Sequence, residues 1–69
     1  MNYKEMCRET VLMMMVARKD ISKATITYPT TEKAINKVKT MNNFRARNDE
    51  AYLVQIVRNQ NKVMIVRDC

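Results

Sequence analysis

The 69-residue chain contains no glycine and a single proline, Pro29. Without glycine there is no glycine-rich loop to bring backbone N–H groups against a phosphate, and no flexible tract to separate two domains. With 46% apolar residues and no low-complexity stretch, the chain reads as one compact unit over residues 1–69 and not as a disordered segment. A chain of this length buries only about 60% of its unfolded surface. That leaves room for a thin two-layer core and little for a substrate cavity.

Histidine is absent as well, which removes imidazole bases and any zinc site that needs an imidazole ligand. Cys7 and Cys69 are too few for a metal cage or a disulfide scaffold. The expectation is therefore no metal, no cofactor and a reducing, cytoplasmic setting. The longest apolar run, Val11 to Ala17, falls far short of the roughly 20 residues that span a bilayer. Arg18 and Lys19 stand where a signal peptide would carry its small-residue cleavage site. A soluble protein with no membrane partner is expected.

Hydrophobic periodicity supplies the elements. Asn2 is placed as an N-cap with Glu5 closing a capping box, and Tyr3, Met6, Cys7, Thr10, Val11, Met14 and Ala17 recur on one helical stripe. Lys4, Glu5, Arg8 and Glu9 would then face outward. After Thr10 the pattern blurs, because Leu12, Met15 and Val16 fall on the side that should be polar, so residues 10–18 fit a buried helix end or a buried strand. The Met, Leu and Ala content, and the lack of Gly or Asn-Gly in 18–23, favour the helix. Residues 23–28 alternate as a half-buried strand that Pro29 ends. Thr30 or Thr31 can cap a helix with Glu32 in its first turn, and Ala34, Ile35, Val38 and Met41 form its apolar stripe over 31–41. Residues 42–49 read as a polar loop, then 51–57 and 62–67 as strands of a hairpin turning at Asn59-Gln60-Asn61.

The predicted fold class is α+β: a small two-layer domain, α-β-α-β-β, with two helices on one face of a three-stranded sheet. Its β-α-β unit would cross over right-handed if the two strands were adjacent and parallel. The competing architecture is a ββαββ or αββαββ pseudo-repeat, suggested by basic pairs around polar turns at Arg18 to Lys23 and Arg58 to Lys62.

Charge is the strongest functional signal. The formal net charge is +6, and between Glu32 and Asp49 there is no acidic residue while Lys33, Lys37, Lys39, Arg45 and Arg47 all occur. Outside that window eight basic residues face seven acidic ones, so the excess is a local patch. Lys33 and Lys37 share a helical face with Asn36 and Thr40. Phe44, Arg45 and Arg47, interleaved with asparagines, supply the stacking, phosphate-contact and base-edge chemistry that nucleic-acid recognition uses. Phe44 can equally serve as a core lid over the second helix. Arg58 and Lys62 at the hairpin tip form a second basic element.

The seven methionines fit core filling or an adaptable surface. Leu12, Met15 and Val16 are the candidates for a partner or dimer contact. No catalytic set is discernible: Glu5 and Glu9, or Asp49 and Glu50, are not arranged as an acid–base pair. Proton transfer by Tyr28 or Tyr52 in a cation-assisted ribonuclease is chemically permitted but not required.

The sequence thus predicts a non-enzymatic, small basic protein that binds nucleic acid or a nucleoprotein and has no small-molecule substrate. The rival is a protein-binding module or inhibitor, such as a phage or mobile-element accessory factor docking on a host complex.

Overall fold

A computed structural model describes residues 8–68 of the chain. Expectations for Asn2, Tyr3, Lys4, Glu5, Met6, Cys7 and Cys69 lie outside the described residues. The elements follow in the order α1 (Arg8–Ala17), β1 (Lys23–Thr27), α2 (Thr31–Arg47), a 3₁₀ turn (Ala51–Leu53), β2 (Val54–Asn59) and β3 (Lys62–Arg67). The three strands form one antiparallel sheet in the order β1-β3-β2. This is the expected small α+β domain, and the pseudo-repeat alternatives are not observed. α1 is followed by one strand, not two.

β1 and β2 are not neighbours. β3 pairs antiparallel with both, Ala24 opposite Ile65 and Ile56 opposite the same Ile65, so β1 and β2 run parallel with the last strand inserted between them. The β-α-β unit is thus a split one. Alternation sorts the side chains by face. Ile26, Val54, Val63 and Ile65 are buried together with Met13, Val16, Ala34 and Met41 from the two helices, so both helices cover one face. Lys23, Thr25, Thr27, Gln55, Val57, Lys62, Met64 and Val66 lie on the other.

α1 is a helix through Ala17, but its buried stripe is Glu9, Met13, Val16 and Ala17. The stripe expected through Thr10, Val11 and Met14 is rotated: those three are half-buried, and Glu9, expected outside, is 6% exposed. Three consecutive methionines between apolar neighbours erase the helical period, and the polar residue that should mark the outside is turned inward toward a hydrogen-bond partner.

The end of α1 shows how a chain without glycine stops a helix. The Asp20 N–H donates to the Met15 carbonyl (2.9 Å) and the Lys19 N–H to the Val16 carbonyl (3.1 Å). This is a Schellman closure with Lys19 at φ 66° in the position glycine usually fills. From beneath, the Arg67 guanidinium donates to the Ala17 carbonyl, giving α1 the basic group that its own last turn lacks.

α2 begins where expected, with the Thr30 hydroxyl accepting from the Lys33 N–H (3.1 Å). It does not stop at Met41. It continues to Arg47, so the predicted loop 42–49 is mostly helix. The core-facing positions Ala34, Val38, Met41, Arg45 and Asn48 keep the 4-3-4-3 spacing of one helical face, and the last two are polar residues whose partners are supplied by the following segment. Asn48 Oδ1 accepts from the Glu50 and Ala51 N–H groups (2.9 and 3.2 Å). This turn makes 51–53 a 3₁₀ segment and delays β2 to Val54.

The hairpin closes through Gln60 and Asn61, with Asn59 paired to Lys62 and Gln60 at φ 56°.

A left-handed conformation costs an L-residue about 1–2 kcal/mol, partly offset by the extra unfolded-state freedom that glycine brings. K19G and Q60G should therefore each stabilise the protein by about 0.5–1 kcal/mol in urea denaturation. A loss of stability in either would show that the native side chain makes compensating contacts.

Candidate nucleic-acid interface

The extension of α2 rearranges the predicted site. Positions 33, 37, 40, 44 and 47 follow a 4-3-4-3 spacing along one flank of the helix, so Lys33, Lys37, Thr40, Phe44 and Arg47 form one stripe about 21 Å long at 1.5 Å per residue. Arg45 falls on the core face and Lys39 on the far side. The predicted cluster of five cations is thus divided by the helix.

Arg45 is half-buried. Its Nε donates to the Val54 carbonyl at 2.6 Å and its Nη2 to the Tyr52 carbonyl at 3.5 Å. The guanidinium ties the end of α2 to the start of β2 and is not free for a phosphate. Phe44 is half-buried and packs against the core, the lid role, so its ring is not a free stacking platform. Val16 is fully buried, which removes it from any surface contact. Leu12 and Met15 are half-buried. Arg58 and Lys62 are exposed at the hairpin tip, and Arg58 donates to the Gln60 carbonyl (2.9 Å).

Lys33, Lys37, Lys39 and Arg47 are exposed and form no salt bridge among the described residues. Lys33, Asn36, Lys37 and Thr40 line a shallow groove of about 330 Å³ with Tyr28 from the end of β1. The Thr40 hydroxyl donates back to the Asn36 carbonyl (3.2 Å), so the two ammonium groups and the Asn36 amide are the uncommitted donors among the groove's side chains.

Tyr28 is the seat of this groove. It is 5% exposed, and its hydroxyl donates to Glu9 Oε2 at 2.8 Å. Its N–H donates to the Asn61 carbonyl (2.8 Å) and its carbonyl accepts from Asn61 Nδ2 (2.9 Å), which fixes the basic hairpin tip to the same residue. The Arg8 guanidinium lies 6.0 Å from the Tyr28 ring centroid and 3.7 Å from Glu9 Oε2, a cation–π contact and an ion pair at once. Sequence reasoning missed this cation against Tyr28, since nothing in the local pattern of Arg8 signals a neighbour twenty residues away.

Burial pushes the Glu9 carboxyl up, but its backbone hydrogen bond, the Tyr28 hydroxyl and the charges of Lys37 and Arg8 outweigh burial, so it titrates below the ordinary carboxylate value. Burial, followed by the bond to Glu9, pushes the Tyr28 hydroxyl up to about 12. It stays protonated across the physiological range and is not poised to move protons. At the opposite end, Arg18 binds Glu50 through Nε (2.7 Å) and Nη2 (3.4 Å), and this hydrogen-bonded pair lowers the Glu50 carboxyl.

No protein family, curated protein or solved structure matches this chain. The site is therefore read from its own chemistry.

Two outcomes follow. Tyr28 has a folded value above its unfolded one, so its stabilisation is complete below about pH 10 and is lost as pH rises toward 12. Glu9 has a lowered folded value, so its contribution is present above its unfolded value and is lost as pH falls through the folded one. Y28F should flatten the alkaline limb and lower stability by about 1–3 kcal/mol at neutral pH, because the buried Glu9 loses a donor. R45Q should cost about 1.5–3 kcal/mol through its lost charged hydrogen bonds while leaving the salt dependence of any nucleic-acid binding unchanged. Retained stability together with a flatter salt slope would restore Arg45 to the ligand face.

Proposed function

We propose that this protein is a non-enzymatic, cytoplasmic nucleic-acid-binding protein whose contact surface is the exposed flank of α2, with Lys33, Lys37 and Arg47 as phosphate contacts. The observation that carries the reading is that these lysines border a shallow groove and meet no carboxylate at hydrogen-bond range. Their charge is thus available to a polyanion. Glu9, whose charge Lys37 feels, is committed to Tyr28 and buried. The groove is shallow and its tyrosine is held protonated, which favours binding over catalysis. Asn36 is the side chain placed to contact sugar or a base edge. Lys39, Arg58 and Lys62 lie outside the stripe and act at longer range.

Each phosphate contact contributes about 0.9 to the slope of log K against log salt on duplex DNA and about 0.7 on single strands. K33Q/K37Q should therefore flatten the slope by about 1.8 or 1.4 respectively, and K33Q alone should change stability by less than about 0.5 kcal/mol, whereas K37Q also removes part of the positive charge that lowers the Glu9 carboxyl. F44A should instead lose about 3 kcal/mol of stability, because its ring is packed and not stacked on a base. Unchanged affinity of K33Q/K37Q at low salt on both duplex and single strands would reject the reading.

The second reading, a protein-binding module or inhibitor, would use exposed apolar side chains such as Val57 on the open face of the sheet, 45% exposed. Binding through these residues would be nearly independent of salt.

A further inference from the structure

We infer that β1 is a self-pairing edge through which two copies of this chain join their sheets. The two edges of the sheet are not equivalent. In the β2–β3 pair the Asp68 N–H donates to the Leu53 carbonyl, so alternation turns residues 53, 55, 57 and 59 toward β3 and points the backbone groups of Val54, Ile56 and Arg58 outward. Arg45 Nε occupies the first of these, the Val54 carbonyl, at 2.6 Å. That edge is blunted by a basic side chain.

On the other side the Tyr28 N–H bonds to Asn61. The same alternation turns Ala24 and Ile26 toward β3 and leaves the N–H and C=O groups of Lys23, Thr25 and Thr27 facing away from it. No backbone hydrogen bond reaches them among the described residues.

The occupant that fits is a second copy, for reasons of register and charge. An antiparallel β1–β1 pair centred on Thr25 sets Thr25 against its own mate and Lys23 against Thr27, so every outward backbone group finds a partner and no like charges face each other along the paired strands. The helical layer agrees with this axis. On the α1 wheel, Arg8, Leu12 and Met15 lie on one flank of the buried Glu9-Met13-Val16 stripe, and Thr10 and Met14 on the other. A right-handed β-α-β crossover puts α2 on the Thr10 and Met14 flank, so the half-buried Leu12 and Met15 lie on the β1 side of α1. α1 runs antiparallel to β1, with Glu9 bonded to Tyr28 at one end and Ala17 to Arg67 at the other, so Leu12 and Met15, three and six residues past Glu9, descend from Tyr28 toward Thr25. One two-fold axis therefore brings Leu12 of each copy to Met15 of the other while the strands pair, an isologous contact.

Sedimentation equilibrium of the full chain over a range of concentrations, with amide hydrogen exchange, tests this. The wild type should reach twice its 8.2 kDa mass, with the outward-facing amides of Thr25 and Thr27 slowing as the dimer fills. T25K, which brings two ammonium groups together on the axis, should sediment as a monomer with unchanged circular dichroism and fast exchange at Thr27. V57K, on the other edge strand, should remain a dimer. L12K should weaken association without abolishing the amide protection of the β2–β3 pair. A wild-type monomer at every soluble concentration, or a T25K dimer, overturns the inference. A wild-type monomer whose Thr25 and Thr27 amides are nevertheless protected at every concentration also overturns it, and assigns the edge to the chain's own terminal residues instead.

Discussion

Everything in the sheet passes through β3. It is the last strand in the chain, yet it is the central one, and Val63 and Ile65 on its inner face are fully buried. β1 and β2 touch only through it. The β2–β3 hairpin closes over two residues and costs little loop entropy, whereas the β1–β3 pairing must close a loop containing all of α2 and the hairpin. The long-range step is thus the docking of β1. Its reward is a face on which Met13, Val16, Ala34 and Met41 can lose contact with water together, at about 1.5–3 kcal/mol for each large side chain. In a domain this small, no second core stands in reserve.

Tyr28 converts that packing into a site. A buried carboxylate without partners is costly, and Glu9 is held ionised by a backbone hydrogen bond, then by the Tyr28 hydroxyl and the charges of Lys37 and Arg8. The cations therefore serve two ends. Lys37 and Arg8 neutralise an inward-facing acid, and together with Lys33 they leave a local excess of positive charge at the surface. Lys37 therefore differs from Lys33: neutralising Lys37 removes part of what keeps Glu9 charged, whereas neutralising Lys33 touches only the surface. Asn61 adds the hairpin tip to the same residue through two hydrogen bonds, so Tyr28 joins α1, β1, the hairpin and the flank of α2.

The fold class and element order were legible because β1, β3 and the first half of α2 carry clean periodicity and clear punctuation, with Pro29 and Thr30 marking the boundary. What was not legible depends on polar residues that satisfy distant partners. Glu9 reads as an outward residue until Tyr28 is brought beneath it. Arg45 and Asn48 read as loop residues, though they continue the buried stripe of α2 and find their acceptors and donors in the next segment. This single misreading displaced the helix end and the start of β2, and it also placed Arg45 in the ligand patch. Strand order was equally hidden, since no local pattern states that β3 will enter between β1 and β2. Of the candidate site, Lys33 and Lys37 with their neighbours Asn36 and Thr40 are brought to one groove. Phe44 and Arg47 join the same flank only because the helix runs on.

Net charge bears on whether such a basic chain can pair with itself. A formal +6 opposes association if the charges of the two copies approach within a Debye length, about 8 Å at physiological ionic strength. In the six-stranded arrangement the helices lie in the order α2-α1-α1-α2 over one sheet. With neighbouring axes 8–10 Å apart, the two α2 helices are separated by about 27 Å. The excess charge resides mainly on α2 and is therefore screened from its mate. The strand at the axis carries only Lys23, which pairs with a threonine. Localisation of the charge thus permits both properties at once: a basic flank on each outer helix for a polyanion, and an inner edge strand that carries a single charge for a second copy. A chain of the same composition with its lysines spread evenly over both helices would have to choose between them.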